Sequence, residues 1–497
     1  MLSSAALIFT IFTLNGCENK NTPAAVPEEI SSSAAGEEQS AAQGTVSSVA
    51  FPYTSADSLN PFFMKTTLNS ALVPFIYSSL YYLDCAFTAQ RSIAAGERVT
   101  GASIEVSLSA SAVFSDGSSV TAGDVAYSFS LAKSSVLYSG RLAGISACTA
   151  GEGGTVLFQP AYPDVNALSA LSFPVVKQGT AQDSGSLPIG GGRYRFNQDG
   201  VRITLVSNEN YGDAPQIGTI RLSDAGSNSS LEHLVDAGEL DFCYSDLCGG
   251  AKRSYANITQ IYLNNLVYLG VNSESETVGV AAVRRAISAG LSRQSIVTDA
   301  FQSYARAAAL PFNTSWSALS ECKSAGGISL SGDLNAANEL LSPYGAGTDG
   351  KALYMKLICP DSNSFMKSAA ALIKNQLAKL NISVEISFIG SDNYLSAIKG
   401  GEYDLYLAEL KQPETMELSA FFTEGAAAAA GMNLGILSCD DNYFKYRSGE
   451  ITLDAFCQSF LSELPFIPLC YRNARVCAGR ALPQAAAKEI TDIFELL

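Results

Sequence analysis

Apolar residues follow strand-like alternation in some segments of the chain and helical spacing in others. Ser103–Leu108 alternates apolar and polar side chains, and further strands are predicted over 46–51, 155–159, 194–196, 201–206, 352–357, 384–388 and 405–407. Helical spacing predicts helices over 67–80, 121–133, 230–237, 280–291, 336–341, 364–380 and 394–398. Because the two kinds of element interleave throughout, the sequence predicts a mixed α/β (α+β) fold.

An apolar run near the start of the chain ends at a cysteine. Residues 5–14 are apolar over a length too short to span a bilayer as a helix but suited to the core of a signal peptide. They lead into residues 14–17 (LNGC), which resemble the bacterial lipobox. No Lys or Arg precedes Cys17, which departs from the positive start of a signal peptide. We predict a signal peptide over 1–16 and a lipid-modified Cys17.

The segment after Cys17 has the composition of a tether. Residues 18–48 are rich in Ser, Ala, Glu, Gln, Pro and Asn and hold almost no large apolar side chain. We predict a lipid-anchored flexible tether over 17–43, which would hold the protein at the extracellular face of a bacterial cytoplasmic membrane.

Length and charge restrict the possible functions. The 497 residues exceed one ordinary core and predict about three domains. Hydrophobic residues make up 47% of the chain, enough to build such cores. The net charge is −16 and no Lys/Arg-rich run occurs, so nucleic-acid binding, which needs clustered cations, is not expected.

The single histidine leaves little room for catalytic or metal chemistry. His233 is the only residue that could serve a Ser-His-Asp or Cys-His arrangement, and zinc sites with two histidines cannot form. Because it lies in the amphipathic stretch LEHLV, we interpret His233 as an exposed or partly buried helix residue. We predict no catalytic residue, no cofactor and no metal site.

Eleven cysteines are present, and no pair has the C-x-x-C spacing of a zinc ribbon or a redox motif. Cys243 with Cys248, and Cys470 with Cys477, are close enough in sequence to pair. Cysteine is also a common small buried residue. We expect mostly free, buried thiols.

Seven motifs follow one another in the order and at the spacing of a known family. The most specific is FSDGSSVTAGDV at 114–125, in which Thr121 and Asp124 are spaced as a helix-capping box. The others are 58–61 (SLNP), 188–196 (PIGGGRYRF), 208–211 (NENY) with 238–241 (GELD), 268–272 (YLGVN) with 283–288 (VRRAIS) and 293–297 (RQSIV), 376–377 (QL) with 381–385 (NISVE) and 401–404 (GEYD), and 464–469 (LPFIPL). Together they resemble the peptide- and nickel-binding solute-binding proteins (family 5) of ABC importers.

This resemblance implies a two-lobed, periplasmic-binding-protein-like fold with an extra inserted domain (class II, cluster C). Lobe I is expected to combine 44–70, 186–272 and 465–497. The inserted domain is expected over 71–185 and lobe II over 273–464. The chain would cross between the lobes near 271–272 and near 463–464, and the ligand would bind at the hinge between them.

The resemblance also implies which residues contact the ligand. Peptide-binding relatives carry a Gly-Trp pair and then an Asp that holds the ligand's amino group, whereas this chain has Glu409-Leu410 in place of the pair and Glu409 or Glu414 as the acid. Trp316, the only tryptophan, either covers the ligand or anchors its own loop. The complete predicted set is Ser55, Ala56, Asp57, Asn60, Trp316, Tyr406, Glu409, Leu410 and Glu414.

The predicted function is binding, not catalysis. We expect a monomeric substrate-binding protein that carries a short peptide to ABC permease subunits driven by a cytoplasmic ATPase. Other ligands remain open, namely a nickel chelate, an oligosaccharide or another metabolite, as does a receptor that only signals. A hydrolase with two carboxylates is a further alternative, but no nucleophile or paired-acid motif stands out.

Overall fold

The computed structural model of the protein describes residues 48–100, 103–212, 214–215, 217–226, 231–245, 247, 258–422 and 437–479. The strands in these segments are β1 (Ser48–Tyr53), β2 (Tyr81–Leu83), β3 (Ala89–Arg91), β4 (Ala94–Thr100), β5 (Ser103–Leu108), β6 (Ile145–Ala150), β7 (Thr155–Pro160), β8 (Tyr194–Asp199), β9 (Arg202–Ser207), β10 (Thr219–Asp224), β11 (Phe242–Ser245), β12 (Ile258–Val271), β13 (Ala305–Ala307), β14 (Leu353–Pro360), β15 (Ile382–Ile389), β16 (Leu405–Lys411) and β17 (Phe466–Ala478).

The helices of the same segments are mostly short and lie between the strands. They are α1 (Thr67–Ser70), α2 (Val73–Ile76), α3 (Ala122–Ser134), α4 (Leu231–Asp236), α5 (Ala281–Gly290), α6 (Arg293–Ser295), α7 (Leu334–Leu341), α8 (Ser364–Ala378), α9 (Ser391–Gly400), α10 (Ser419–Phe422), α11 (Leu437–Arg447) and α12 (Leu453–Glu463). The predicted mixed α/β class is confirmed.

Four sheets organise the described part of the chain. One has the strand order β1-β10-β9-β8, and another, within the predicted inserted domain, has the order β4-β5-β7-β6. The largest sheet has the order β11-β17-β12-β16-β14-β15, and β13 pairs with the middle of β17. Strands β2 and β3 form a small separate ribbon. In the largest sheet β14 pairs in parallel with β15 and β16, while β12 and β17 pair antiparallel, so the sheet is mixed.

Buried apolar side chains form three cores. Core 1 joins the first sheet to the inserted domain and includes Phe51, Phe129 and Val476. Cores 2 and 3 cover the two faces of the largest sheet, because side chains alternate along each strand. On β16, Leu405 and Leu407 pack in core 2, while Tyr406 between them packs in core 3.

Strands β12 and β17 connect these cores. Ile261 and Ala474 belong to core 1, whereas Leu266 and Tyr471 belong to core 3. A β-bulge lies between these positions, because the register passes from Tyr262 opposite Asn473 directly to Asn265 opposite Arg472. The two strands therefore pass between the cores within the sheet, several residues away from the crossings implied near 271–272 and 463–464.

The capping box predicted for α3 is confirmed, whereas the single helix predicted over 67–80 is wrong. The capping box of α3 is complete, since Asp124 N–H donates to the Thr121 side chain and the Asp124 carboxylate accepts from Thr121 N–H at 2.9 Å. Residues 67–80 form only two single turns, with Pro74 at the start of the second. Residues 78–80 have left the helix, and Ser79 makes a β-bridge to Pro174.

The histidine and cysteine predictions have different outcomes. His233 is an exposed residue of α4, as predicted. Six of the eight cysteines whose side chains are described are buried, as expected, and all eight are in the reduced form in this structure. A Cys470–Cys477 bond is excluded, because both residues lie on β17 and an extended strand separates them by roughly 23 Å. Cys17, Cys248 and the alanine run 426–430 lie outside the described residues.

Candidate ligand-binding site

The predicted acid Glu409 is held by an arginine of the same sheet. It lies near the end of β16 on the face of core 2, and Arg472 of β17 binds both of its carboxylate oxygens, with Nε at 2.9 and 3.0 Å and Nη2 at 2.6 Å. Asn265 donates a further bond at 2.6 Å. The Arg472 side chain is 1% exposed and that of Glu409 is 17% exposed. Glu409 is thus the counter-ion of a buried guanidinium, because an unpaired charge there would be costly.

Glu414, the other predicted acid, lies in the loop after β16 and is more accessible. Its side chain is 37% exposed and forms an ion pair with Arg141 of the inserted domain. Arg141 is additionally held by Ser172, through its carbonyl at 3.1 Å and its hydroxyl at 2.9 Å. The loop therefore presents a half-exposed carboxylate at the contact between two parts of the chain.

A second set of contacts joins the same loop and α11 to the inserted domain. Asp164 and Arg447 form an ion pair in which both side chains are buried, 8% and 4% exposed. Arg447 also donates to the Thr415 carbonyl at 3.1 Å, and Tyr162 Oη donates to Glu417 at 3.1 Å. We refer to Tyr162, Asp164, Thr415, Glu417 and Arg447 as the clasp.

Trp316 packs in core 3 and anchors its own loop. It is 7% exposed, and its ring centroid lies 5.2 Å from that of Phe312. The next residue, Ser317, donates its N–H to the carbonyl of Ala86 at 3.0 Å, so this loop also touches the inserted domain. The structure therefore favours the loop-anchor interpretation of Trp316.

Tyr406 and Leu410 face core 3 from β16. Tyr406 is 1% exposed, and its ring covers Gly270, where a Cβ atom would come within 1.9 Å of the ring. Only glycine fits at position 270 for this reason. Leu410 is partly buried against the same core. Tyr406 is thus a buried core residue, and Leu410 packs beside the same core.

The predicted first-lobe edge forms a turn at the end of β1. Ser55 and Ala56 are exposed, and Ser55 bonds through its N–H and its hydroxyl to Asp224 at 3.0 and 2.5 Å. The Asp57 carboxylate accepts from the N–H groups of Lys65 and Thr66. Asn60 is fully buried and holds the Asp183 carbonyl at 2.9 Å. Asp57 and Asn60 thus stabilise the turn, and Ser55 and Ala56 are its accessible residues.

Sequence reasoning missed Arg306 on β13. Its guanidinium lies 3.4 Å above the ring of Tyr262 and donates to the side chains of Ser315 and Asn313. Burial lowers its pKa to about 10. No carboxylate of the described segments forms an ion pair with Arg306, and its Nε has no hydrogen-bond partner there. The surrounding residues 305–312 (ARAAALPF) match no motif, so nothing in the sequence indicated a role for Arg306 in binding.

A chain of side-chain amides links Arg306 to the Glu414 loop. Asn313, which accepts from Arg306, donates to Asn264 at 3.2 Å. Asn264 lies in the β12 bulge and donates to the Pro413 carbonyl at 2.8 Å, one residue before Glu414. A cationic group and an anionic group therefore lie at the two ends of one polar network that passes through the bulge.

One surface groove lies away from these residues. A groove of about 400 Å³ between lobe I and the inserted domain is lined by Asp116, Arg195, Glu209 and Asn210 among others. It contains none of the predicted ligand-binding residues. Two of its polar side chains already bind neighbouring protein groups, since Asp116 forms an ion pair with Lys177 at 2.5 Å and Asn210 donates to the Ser115 carbonyl at 3.0 Å. We therefore place the candidate site at the polar network and not at this groove.

Taken together, the fold and these contacts define a class of protein. Two long strands, interrupted only by β-bulges, are shared by separate cores, and a polar network with opposite charges lies where they pass from one core to the other. No set of described side chains has the arrangement of a metal site. Strands shared by separate cores are the arrangement of a two-lobed protein that can close about a hinge.

Comparison with known proteins identifies the family. Residues 97–423, more than half of the chain, match the family described as bacterial extracellular solute-binding proteins, family 5. The chain belongs to this family of ABC-importer solute-binding proteins, whose members bind solutes and are not enzymes.

Individual relatives agree with this assignment. The chain is 27% identical over 245 residues to the di/tripeptide-binding protein 1 of Pseudomonas aeruginosa, a match that spans 47% of this chain and 44% of that relative. It is similar in structure to the periplasmic murein tripeptide-binding protein MppA in its unliganded open form (TM-score 0.70, 18% identity, 88% and 94% of the chains covered). It is also similar to NikA from Brucella suis in complex with Fe(III)-EDTA (TM-score 0.67, 16% identity, 89% and 97% covered).

These structural likenesses establish the two-lobed fold. In the described segments, no helix has both the length and the apolar character required to cross a bilayer.

Proposed function

We propose that this protein binds a short peptide between its lobes, with the ligand's ammonium group on Glu414, and delivers it to an ABC permease. The observation that carries the proposal is the half-exposed Glu414 carboxylate at the contact between the inserted domain and lobe II. The di/tripeptide-binding relative and the tripeptide-binding structure support a peptide as the ligand class.

Glu414 is a better ammonium partner than Glu409. Arg472 occupies both oxygens of Glu409, whereas Arg141 contacts one oxygen of Glu414. An ionised carboxylate has about four acceptor sites, so Glu414 has capacity for an ammonium group while Arg141 stays in place. An ammonium group that contacts Glu414 would also add to the attraction between the inserted domain and lobe II.

Arg306 supplies the complementary charge. A short peptide is a zwitterion, and its carboxylate needs a fixed cation if it is to be buried. Arg306 lacks a carboxylate partner among the described residues, and Asn313, Asn264 and Pro413 connect it to the Glu414 loop. Peptide backbone groups could then bond to the polar network between these two ends.

Anchoring and delivery complete the proposal. The lipobox-like residues 14–17 would tie the protein to the extracellular face of the membrane, within reach of the permease. Closure of the lobes on the ligand would present the loaded form, because a ligand stabilises closure only through contacts it makes in the closed state.

A calorimetric comparison tests the ammonium contact. A free dipeptide and its N-acetylated form are titrated into the wild type and the Glu414→Gln variant. In the wild type, acetylation should weaken binding several hundredfold if closure of the lobes buries the ammonium–carboxylate pair, since removal of one partner of a buried charge pair costs about 3–5 kcal/mol. In Glu414→Gln the two peptides should bind alike.

Glu409→Gln is the matched control. It carries the same chemical change but removes the partner of Arg472, so it should lower stability while the wild-type preference for the free amine persists. Small-angle scattering with ligand should show a smaller radius of gyration. If acetylation does not weaken binding to the wild type, the amine is not recognised, and a non-peptide solute such as the metal chelate bound by the Brucella NikA becomes the better candidate.

A further inference from the structure

Two cysteines face each other across the end of the largest sheet. Cys243 of β11 is directly opposite Cys477 of β17 in the antiparallel register, although 234 positions separate them in sequence. Both side chains are buried, 0% and 2% exposed. The pair lies at the lobe I end of the sheet, outside the candidate ligand-binding site.

The strand geometry suits a covalent bond. Residues directly opposite in an antiparallel pair have Cα atoms about 4.5–5.5 Å apart. A disulfide requires Cα atoms about 4.4–6.8 Å apart, so the bond could form without movement of either strand. Chance burial of two separate cysteines would not by itself place them directly opposite each other in register.

We propose that Cys243 and Cys477 form a structural disulfide that fastens the C-terminal strand to lobe I. The oxidant is an external disulfide, such as a small-molecule or protein dithiol in its oxidised form. One thiolate attacks it and forms a mixed disulfide with loss of one external thiol. The second cysteine then displaces the other external thiol, so two protein thiols are oxidised and one external disulfide is reduced to two thiols.

The timing follows from the surroundings of the pair. Contact with Cys477 and burial raise the pKa of the Cys243 thiol, which disfavours the reactive thiolate once β17 has docked. Oxidation is therefore fastest while the strands assemble and slow in the finished reduced protein. The other cysteine near in sequence, Cys248, lies outside the described residues and is the natural competitor.

The disulfide would lie beside the point where β1, β11 and β17 meet. Asp241, just before β11, accepts from the N–H of Ala50 in β1 and from the N–H of Gly479 after β17, both at 2.8 Å. A disulfide two residues further on would fix this junction. It would also enclose all of lobe II in one covalent loop, which restricts the unfolded chain.

Thiol mapping of the full chain tests the proposal. The protein is refolded with reduced and oxidised glutathione, denatured without reductant, alkylated and digested for mass spectrometry. We expect one linked peptide pair that contains Cys243 and Cys477, and two fewer alkylated thiols than in protein refolded with reductant alone. The oxidised form should also melt at a higher temperature than the reduced form.

Variants identify the partners. Cys243→Ser and Cys477→Ser should each abolish the loss of two thiols and the redox-dependent melting shift, while Cys248→Ser and the exposed control Cys85→Ser should keep both. Full alkylation of Cys243 and Cys477 in wild-type protein refolded with oxidised glutathione would overturn the proposal, as would a linked peptide that contains Cys248. If a variant fails to fold, the mass-spectrometric thiol mapping of the wild-type protein is sufficient to test the proposal.

Discussion

Replacement of Asp164 by Asn should weaken the clasp between the inserted domain and lobe II. The change removes the charge that faces Arg447, whose side chain is 4% exposed and cannot reach water. Loss of one partner of a buried ion pair typically costs about 3–5 kcal/mol. Because Glu417 and the Thr415 carbonyl stay close to Arg447, we expect the lower end, about 3 kcal/mol.

The single tryptophan provides the assay. Trp316 packs against Phe312 in core 3, and its loop contacts the inserted domain at Ala86, so its fluorescence reports on this region. Urea titrations would compare the wild type, Asp164→Asn, Arg447→Met and the double variant. A thermodynamic cycle over these four proteins isolates the coupling between the two charges, which we expect to be about 1–3 kcal/mol.

Asp441→Asn is the matched control. It removes the same charge from an ion pair with Lys445, but that pair is exposed, 71% and 41%, and lies within one helix. Exposed pairs of this spacing contribute about 0.3–0.5 kcal/mol, so the control should change stability little. A coupling energy for Asp164 and Arg447 no larger than this would refute the view that the clasp stabilises the contact between these two parts of the chain.

Two further predictions concern acid stability and anchoring. The ion pair with Lys177 and the hydrogen bonds from Ser118 lower the pKa of Asp116 from 3.8 to about 2, so the stabilising effect of the Asp116 carboxylate is complete above about pH 4 and is lost as the pH falls towards 2. The Asp116→Asn variant should therefore melt at a lower temperature than the wild type at neutral pH, and this difference should disappear towards pH 2. A difference in melting temperature that does not change with pH would contradict this prediction. Cys17→Ala, expressed in a bacterium that processes lipoproteins, should release the protein from membranes, and unchanged retention in the membrane fraction would exclude lipidation at Cys17.

Motifs that depend on local physics could be predicted from the sequence. The capping box of Thr121 and Asp124 involves neighbours on one helical turn, and it formed as expected. The same holds for the strands of alternating pattern and for the fold, which a series of such motifs identified. The helix predicted over 67–80 was wrong because the prediction followed the apolar spacing and gave too little weight to Pro74. A proline is tolerated in the first turn of a helix but not in its interior, so Pro74 begins the second short helix and does not extend the first.

Long-range pairing of charges could not be predicted. Glu409 and Glu414 were identified as acids, but their partners Arg472 and Arg141 are 63 and 273 positions away. A polar residue in a strand normally indicates an exposed face, yet nearly all of β17 is buried, including Arg472 and Arg475. Only the assembled sheet supplies the counter-ions that permit this burial. The sequence therefore indicated a strand over 464–469 but not its continuation into the polar residues 470–478 of β17.

The position of β17 in the largest sheet determines the order of folding. This strand, made of residues 466–478, lies between β11 and β12, so both of those strands have an unpaired edge until residues 466–478 have been synthesised and have paired with them. Exposed edges can pair with other chains, and contacts so distant in sequence form slowly. Nascent chains that end before residue 466 therefore cannot complete lobe I. Insertion of β17 therefore completes the largest sheet, and until then the exposed strand edges can bind chaperones or promote aggregation.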